Sequence, residues 1–410
     1  MKTHAFHRKP KGFTIVEILV GLLIGLLLIY AVYTVYEQHN RVRRVTTSVN
    51  EAQVSSLYSM FLLEQTVSNA GAAMMYDPPS GSSPFRQLLR CQDAALPTSS
   101  PANWDGILRL PSSTNGSLSL YPFPIVIDSA TVGGNRHDEL YLFSGASSRY
   151  IMAITNGVPA TLNVGNGNTF ALPINFANGD TLVAVNATTN TCAPFLVTTS
   201  VLTPPNNLQV TLQGVGAFTP TAIVNVGMVV RYHFFVNPQN ALQMDEYQVT
   251  NTGVWTLASS TSIVSDVRVF AAQYGIDADG NNVVDRWVNA TNDADGTTGS
   301  FTWDPVNLMR TEGNTALLGD EGNIIKRIKA IRVGIVVRME EPEKQAPSPM
   351  TTQTLTLFGD CTPQGATCPP PIIFTHSTGD GPAGTTFRYR KYETTIPLKN
   401  VIWNPTNALT

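Results

Sequence analysis

From Phe13 to Tyr36 the chain is apolar except for one charged side chain, Glu17. At about 1.5 Å per helical residue this run is long enough to cross a hydrocarbon core of roughly 30 Å. A carboxylate inside such a helix is expensive in lipid, so its presence predicts a positively charged partner on another chain. The preceding leader holds Lys2, Arg8, Lys9 and Lys11, a bias that keeps this end in the cytoplasm and sends the rest of the chain across the membrane. A secretory peptide places its small-residue cleavage site after the apolar run, whereas here Gly12 stands before it. Cleavage at Gly12 would leave the helix in the mature protein as an inner-membrane anchor.

Arg41, Arg43 and Arg44 end the apolar run, and Tyr30, Tyr33 and Tyr36 fit an interfacial aromatic belt at the same end. The arginines suit lipid phosphates, or acidic residues on adjacent subunits. Val42, Val45, Val49, Leu57, Met60, Phe61 and Val67 recur at spacings that predict one face of a helix, continuing to Ala70 and stopping at Gly71. After Asp77–Pro84 the texture changes to short apolar runs between Gly, Asn, Pro, Ser and Thr. Candidate strands are Ile107–Leu110, Glu139–Phe143, Thr181–Val185, Gln209–Leu212, Met228–Val236, Gln243–Val249, Val267–Tyr274, Ile331–Met339 and Phe387–Ile396. Val333, Ile335 and Val337 alternate with Gly334, Val336 and Arg338, and this mixed second face predicts partial burial. The fold class expected is α+β: a long N-terminal helix, membrane-spanning in its first half, packed on a large, mostly antiparallel β domain with insertions. More than three hundred residues follow the helix, enough for one decorated domain or two β subdomains.

Charged residues are 13% of the chain and the formal net charge is -3, which is unlike a nucleic-acid-binding surface. The four cysteines suit an oxidising compartment and allow three pairings. Cys361 and Cys368 are close enough to close a short loop, which leaves Cys91 with Cys192; a metal site is the competing reading, against the lack of C-x-x-C spacing. The loop 277–285 offers oxygen ligands from Asp277, Asp279 and Asn281, the backbone carbonyl of Val283 and the carboxylate of Asp285, a set that suits a structural calcium ion. It departs from the EF-hand, with Gly280 at loop position four and Val288 at position twelve. A second acidic turn, 292–296, lies nearby, and Asp, Asn and Gly also serve simply as turn formers. No other cofactor is expected. There is no nucleophile elbow, zincin motif, P-loop or dinucleotide fingerprint, and the six histidines form no ligand-spaced pair outside the leader. His137 beside Asp138 and Glu139 reads as a solvated strand entry. The chain is expected not to be an enzyme.

Gly12-Phe13-Thr14-Ile15-Val16-Glu17, followed by Leu19, Val20, Gly21, Leu22 and Leu23, resembles the class III leader of type IV pilins and type II secretion pseudopilins. The resemblance implies cleavage after Gly12 by prepilin peptidase and N-methylation of Phe13. It also implies that Glu17 faces a neighbour's N-terminal amine, registering subunits during assembly; a buried carboxylate and a buried ammonium are each costly alone and tolerable together. The layout that follows is a leader at 1–12, a transmembrane helix at 13–36, its amphipathic continuation at 37–71 and a β-rich head at 72–410.

Three later stretches narrow the resemblance. Gln273-Tyr274-Gly275-Ile276-Asp277, the strand Ala330–Arg338 and the ending Arg388–Asn400 look like the PilW family of minor pilins, which is similar to the J-type pseudopilin. This implies an assembly component that joins other minor pilins, the major pilin and the inner-membrane assembly platform, primes filament growth and resides at the pilus tip. A bulky head is hard to repeat along a packed shaft, which favours a low-copy role. Residues 95–220 carry little resemblance beyond Asp138-Glu139-Leu140-Tyr141. The rivals are a J-like pseudopilin of type II secretion, and a tip adhesin or DNA-uptake module whose recognition surface lies in 95–220.

Overall fold

The computed structural model describes residues 12, 14–72, 124–129, 131–132, 135–146, 153–154, 159–171, 176–186, 191–203, 207–214, 217–249, 255–277, 281–290, 327–340, 343–344, 352–361, 368–377 and 385–402. Phe13, Cys91, Asp279, the strand expected at 107–110 and the acidic turn 292–296 lie outside them.

Helix α1 (Ile15–Ser68) is continuous over 54 residues, about 80 Å at the helical rise. It is long and apolar enough to cross a membrane, by length and composition. Asn69 caps its C-terminus and Gly71 turns the chain at φ 73°, a left-handed conformation that glycine adopts at little cost. The stripe read from the sequence is split by the structure. Met60 and Val67 are buried with Leu63, but Val42, Leu57 and Phe61 point outward with Val54 and Tyr58. Serines take their place on the inner face, where Ser56 and Ser59 are fully buried. Their hydroxyls donate to Ala52 O and Ser56 O of the same helix, and their small size lets the helix approach the sheet closely.

In chain order the strands begin with β1 (Ile125–Asp128), β2 (Thr131–Val132), β3 (Asn135–Arg136) and β4 (Glu139–Ala146). Then come β5 (Ala153–Ile154), β6 (Gly165–Ala171), β7 (Thr181–Asn186), β8 (Thr191–Thr203) and β9 (Asn207–Gly214). β10 (Ala222–Val236), β11 (Leu242–Val249) and β12 (Trp255–Val264) follow, then β13 (Val267–Ile276), β14 (Arg286–Asn289) and β15 (Ile328–Arg338). The chain closes with β16 (Glu343–Lys344), β17 (Thr352–Leu357), β18 (Ile372–Ser377), β19 (Thr385–Thr386), β20 (Tyr389–Pro397) and α2 (Lys399–Ile402). Every pairing between these strands is antiparallel, so the layout is α+β as expected.

The long strand β10 belongs to two neighbourhoods. Its second half pairs with β4 and β11, its first half with β5 and β7, and the register shifts between Asn225 and Gly227. Gly227 takes φ 75° there, and Asn225 holds the bulge by accepting from Gly227 N and donating to Asp180. On the far side of the bulge, β5–β9 and the start of β10 enclose a core of their own: Leu162, Phe170, Phe176, Leu182, Phe195, Val197, Leu208, Val210, Leu212 and Ile223 among others. From 151 to 230 the only charged residue is Asp180, and it is buried.

A second sheet, ordered β14-β13-β15-β20, carries the helix. One face joins Met60, Leu63 and Val67 of α1 in the main core through Phe270, Tyr274, Ile331, Val333, Ile335 and Ile396. The other face is covered by the β17–β18 hairpin, where Val269, Ala271 and Val336 meet Leu357, Phe358 and Phe374. The second face of β15, expected to be partly buried, is therefore almost wholly buried. Gly334 is required by that covering, since a Cβ there would stand 3.1 Å from Leu357 and from Phe358.

Candidate assembly site: the helix, its first turn and its seat on the head

At the membrane end, Thr14 and Glu17 form a capping box. The Thr14 hydroxyl accepts from Glu17 N at 3.2 Å, while Glu17 Oε2 accepts from Thr14 N at 3.0 Å and from the Thr14 hydroxyl at 3.1 Å. The T-x-x-E spacing that opens an apolar run is the sequence signal for this arrangement, and it gives Thr14 a role that composition and hydropathy do not. Gly12 is exposed, and a Cβ there would meet no described atom within 4 Å. Glu17 is exposed as well, and Ile15 to Tyr36 present an apolar surface all round, from Ile15 at 78% exposed to Tyr36 at 63%. A surface of that kind needs lipid or other apolar helices against it.

At the other end the helix is stitched to the head. Gly71 N donates to Phe143 O at 2.8 Å, and Gly145 N to Ala72 O at 2.9 Å. The Asn400 side chain, in α2, donates to Asn69 O and Ala70 O, both at 3.1 Å. The bond to Asn69 O satisfies the carbonyl of the C-cap, one of those that a helix end leaves open. Together these bonds tie the last turn of α1 to β4 and to the C-terminal part of the chain at once.

A buried polar group fastens the two sheets beneath the helix. Asp138, expected at a solvated strand entry, is instead fully buried. Its carboxylate accepts from Arg136 Nε at 2.8 Å, from the Ser129 hydroxyl at 2.9 Å and from Ala272 N at 2.7 Å. Burial pushes its carboxyl up from the usual range, against the pull of Arg136, Ala272 and Ser129. Arg136 continues to Asn289 of β14 and Ala272 O of β13. His137 is also buried, with Nε2 2.9 Å from Arg268 O. Ala272, Asn289 and Arg268 lie more than a hundred positions from the groups they bond, so no local pattern announces them.

On the opposite face, Arg332 lies between the rings of Trp287 and Phe358, its guanidinium carbon 4.7 Å from each ring centre. It donates to Gln273 and to Asp360 O. Burial lowers its pKa to about 10, with nearby Glu393 pulling the other way, so it stays charged at neutral pH and holds the cover by cation–π contact. Phe358 takes φ 59°, a strained conformation for a bulky residue that its packing on Arg332 and Gly334 over-determines. Three residues on, Cys361 bonds to Cys368 and closes the loop between β17 and β18. That disulfide is the one expected from spacing. Cys192 lies on β8 opposite Val185.

The loop proposed for calcium sits between β13 and β14. Asp277 is buried; its oxygens accept from Asn281 N at 3.1 Å and Asn282 N at 2.8 Å. Asn281 Oδ1 accepts from Val283 N at 2.7 Å. The positive charge facing Asp277 is Lys329, whose Nζ is 3.7 Å from Oδ2 and donates to Asn282 Oδ1 at 2.8 Å. Among the described residues no three His, Cys, Asp or Glu side chains stand together as a metal-holding group.

Comparison with known proteins gives one family. Residues 233–400 match the model of PilW, described as Type IV Pilus-assembly protein W. No curated protein and no solved structure matches the chain. The matched residues run from the second half of β10 to α2, and so take in the sheet on which the helix is seated, the covering hairpin, the disulfide and the capping Asn400; over them the chain is similar to the PilW family of type IV pilus-assembly proteins.

Proposed function

We propose that this chain is a minor pilin that primes type IV pilus growth and resides at the pilus tip. In this reading prepilin peptidase removes residues 1–12, and Phe13 becomes the N-methylated first residue. Residues 13–36 then anchor the protein in the inner membrane, with the N-terminus cytoplasmic and the head, 72–410, periplasmic. Residues 37–71 carry the anchor into the head. Glu17, oriented by Thr14, meets the N-terminal amine of a neighbouring subunit. Its partners are the other minor pilins, the major pilin and the assembly platform.

The observation that carries the reading is the single helix that leaves an apolar, unburied first half and is bonded at its far end to a PilW-type head. A rigid link of that kind turns the position of Glu17 in the membrane into a position of the head outside it. The same geometry serves a J-type pseudopilin of type II secretion, and deletion separates the two by which is lost, pili or exoprotein release. Finding the protein at regular intervals along the shaft would sink the low-copy role.

The first test is the intact mass of the membrane-extracted protein from cells with and without prepilin peptidase. The expected result is a chain starting at methylated Phe13 only when the peptidase is present. An unprocessed Met1 in both, or a cut beyond the apolar run, overturns the proposal.

A further inference from the structure

Sheet edges expose unpaired N–H and C=O groups, and proteins guard them with charge, shortness, bulges or local bonding. Four edges here follow that rule. β1 has four residues, and its Ile127 N–H donates to the Tyr274 hydroxyl at 2.6 Å. β14 also has four. β6 starts with Gly165 and Gly167 at positive φ and shifts register before Asn168. β20 carries Arg390, Lys391 and Glu393 and ends in Pro397.

β12 is different. It pairs only with β11 among the described strands, it runs for ten residues, and it holds no Lys, Arg, Asp, Glu or Pro. Every residue from Thr256 to Ser262 is exposed. Ala258 and Ile263 are the extra residues at two register shifts, and Ser259–Ser262 pair regularly with Gln243–Glu246 between them. Ser260 is fixed from the β11 side, donating to Asp245 at 2.6 Å.

We propose that the free edge of β12 docks an extended segment from the head of another pilin-class subunit, adding a strand to the sheet. The occupant must be extended, because the groups on offer are backbone donors and acceptors at strand spacing. It must also tolerate a row of Thr, Ser, Ala and Leu with no charge to capture an ionic partner. Position selects which chain this is. β12 packs beside α1, and Ile263 and Val264 at its end share a core with Met60 and Leu63. The same helix shows Val54, Leu57, Tyr58 and Phe61 to the outside. A second helix laid along α1 therefore brings its own head to β12. The regular run between the bulges is short, so docking is weak by itself and depends on the helices holding the two heads together. The inference rests on the minor-pilin reading above.

The test uses the full chain in membranes with its co-expressed pilin-class partners. A photo-crosslinking residue is placed at Leu257, at Thr261 and, as a control, at Gln239 in an exposed turn. The expected adducts from 257 and 261 join a β segment of another pilin-class head, and the control gives none. The pair Leu257→Lys and Thr261→Lys is expected to cut recovery of that partner about ten-fold or more, while the thermal midpoint and processing at Gly12 stay unchanged. Recovery within about two-fold of the unsubstituted chain, or adducts on any other kind of protein, overturns the edge proposal and leaves the minor-pilin reading standing. Failure of the unsubstituted chain to recover any pilin-class partner overturns both. The crosslinks are read without the lysine pair, so they decide the matter even if that pair unfolds the head.

Discussion

The sheet β14-β13-β15-β20 keeps Arg332, Lys329 and Asp277 in its interior, each stacked on rings or bonded to named partners. The insert formed by β5–β9 packs Phe170 edge-on to Phe176, surrounds them with aliphatic side chains and buries a single charge. Both are antiparallel and both exclude water, yet the first is fixed by charged side chains in directional bonds and the second mainly by apolar packing, with Asn168 and Asp180 as its bonded polar groups. Directional bonds permit few registers, which suits the seat of a helix whose far end must be placed accurately. An apolar core is more forgiving, and it joins the rest of the head through the bulge at Asn225–Gly227. The contrast predicts that damage in the seat spreads to the helix and damage in the insert stays local.

The largest test is Asp138→Ala, which leaves Arg136 half-buried without its carboxylate. A loss of about 4 kcal/mol is expected, with α1 losing amide-exchange protection along with both sheets. Phe195→Ala, in the core of the insert, should cost about 3 kcal/mol through the cavity it leaves. Here exchange should rise in β6–β9 while the end of α1 stays protected; equal loosening of the helix would erase the proposed difference.

Lys329→Met should cost about 2 kcal/mol, since Asp277 keeps its two amide donors but loses its cation. Calcium is expected to raise the melting midpoint of this variant and to leave the unsubstituted protein unchanged. A rise in the unsubstituted protein means that a cation binds at 277–285 beside Lys329. Gly334→Ala should cost about 1 kcal/mol as Leu357 and Phe358 give way, loosening the β17–β18 cover first. The smallest effect is expected from Thr14→Ala, seen as faster exchange in the first turn of α1 with an unchanged head.

Much of this was readable from spacing. The alternation in 331–339 and 267–274 marks β15 and β13, and the seven-residue separation of Cys361 and Cys368 marks their bond. What was not readable depended on distant partners. Arg332 looks like an ordinary exposed position on a mixed face until Trp287 and Phe358 close over it. Asp138 resembles any acidic strand entry until Ala272 arrives from β13. On α1, apolar residues face both ways, so periodicity alone assigned Leu57 and Phe61 to the inside. The true inner face is marked by Ser56 and Ser59, whose value there is small volume and not hydrophobicity.

Asp180 carries a consequence for the environment in which the head works. With that one charge withdrawn from solvent, the insert shows the outside world a surface with no charge for dissolved ions to screen. Its contacts should hold alike in fresh and salt water. It also has no cation with which to displace counterions from a phosphate chain. If this part of the head touches anything, that partner is met through hydroxyls, amides and methyl groups, and the strength of the meeting does not follow the salt.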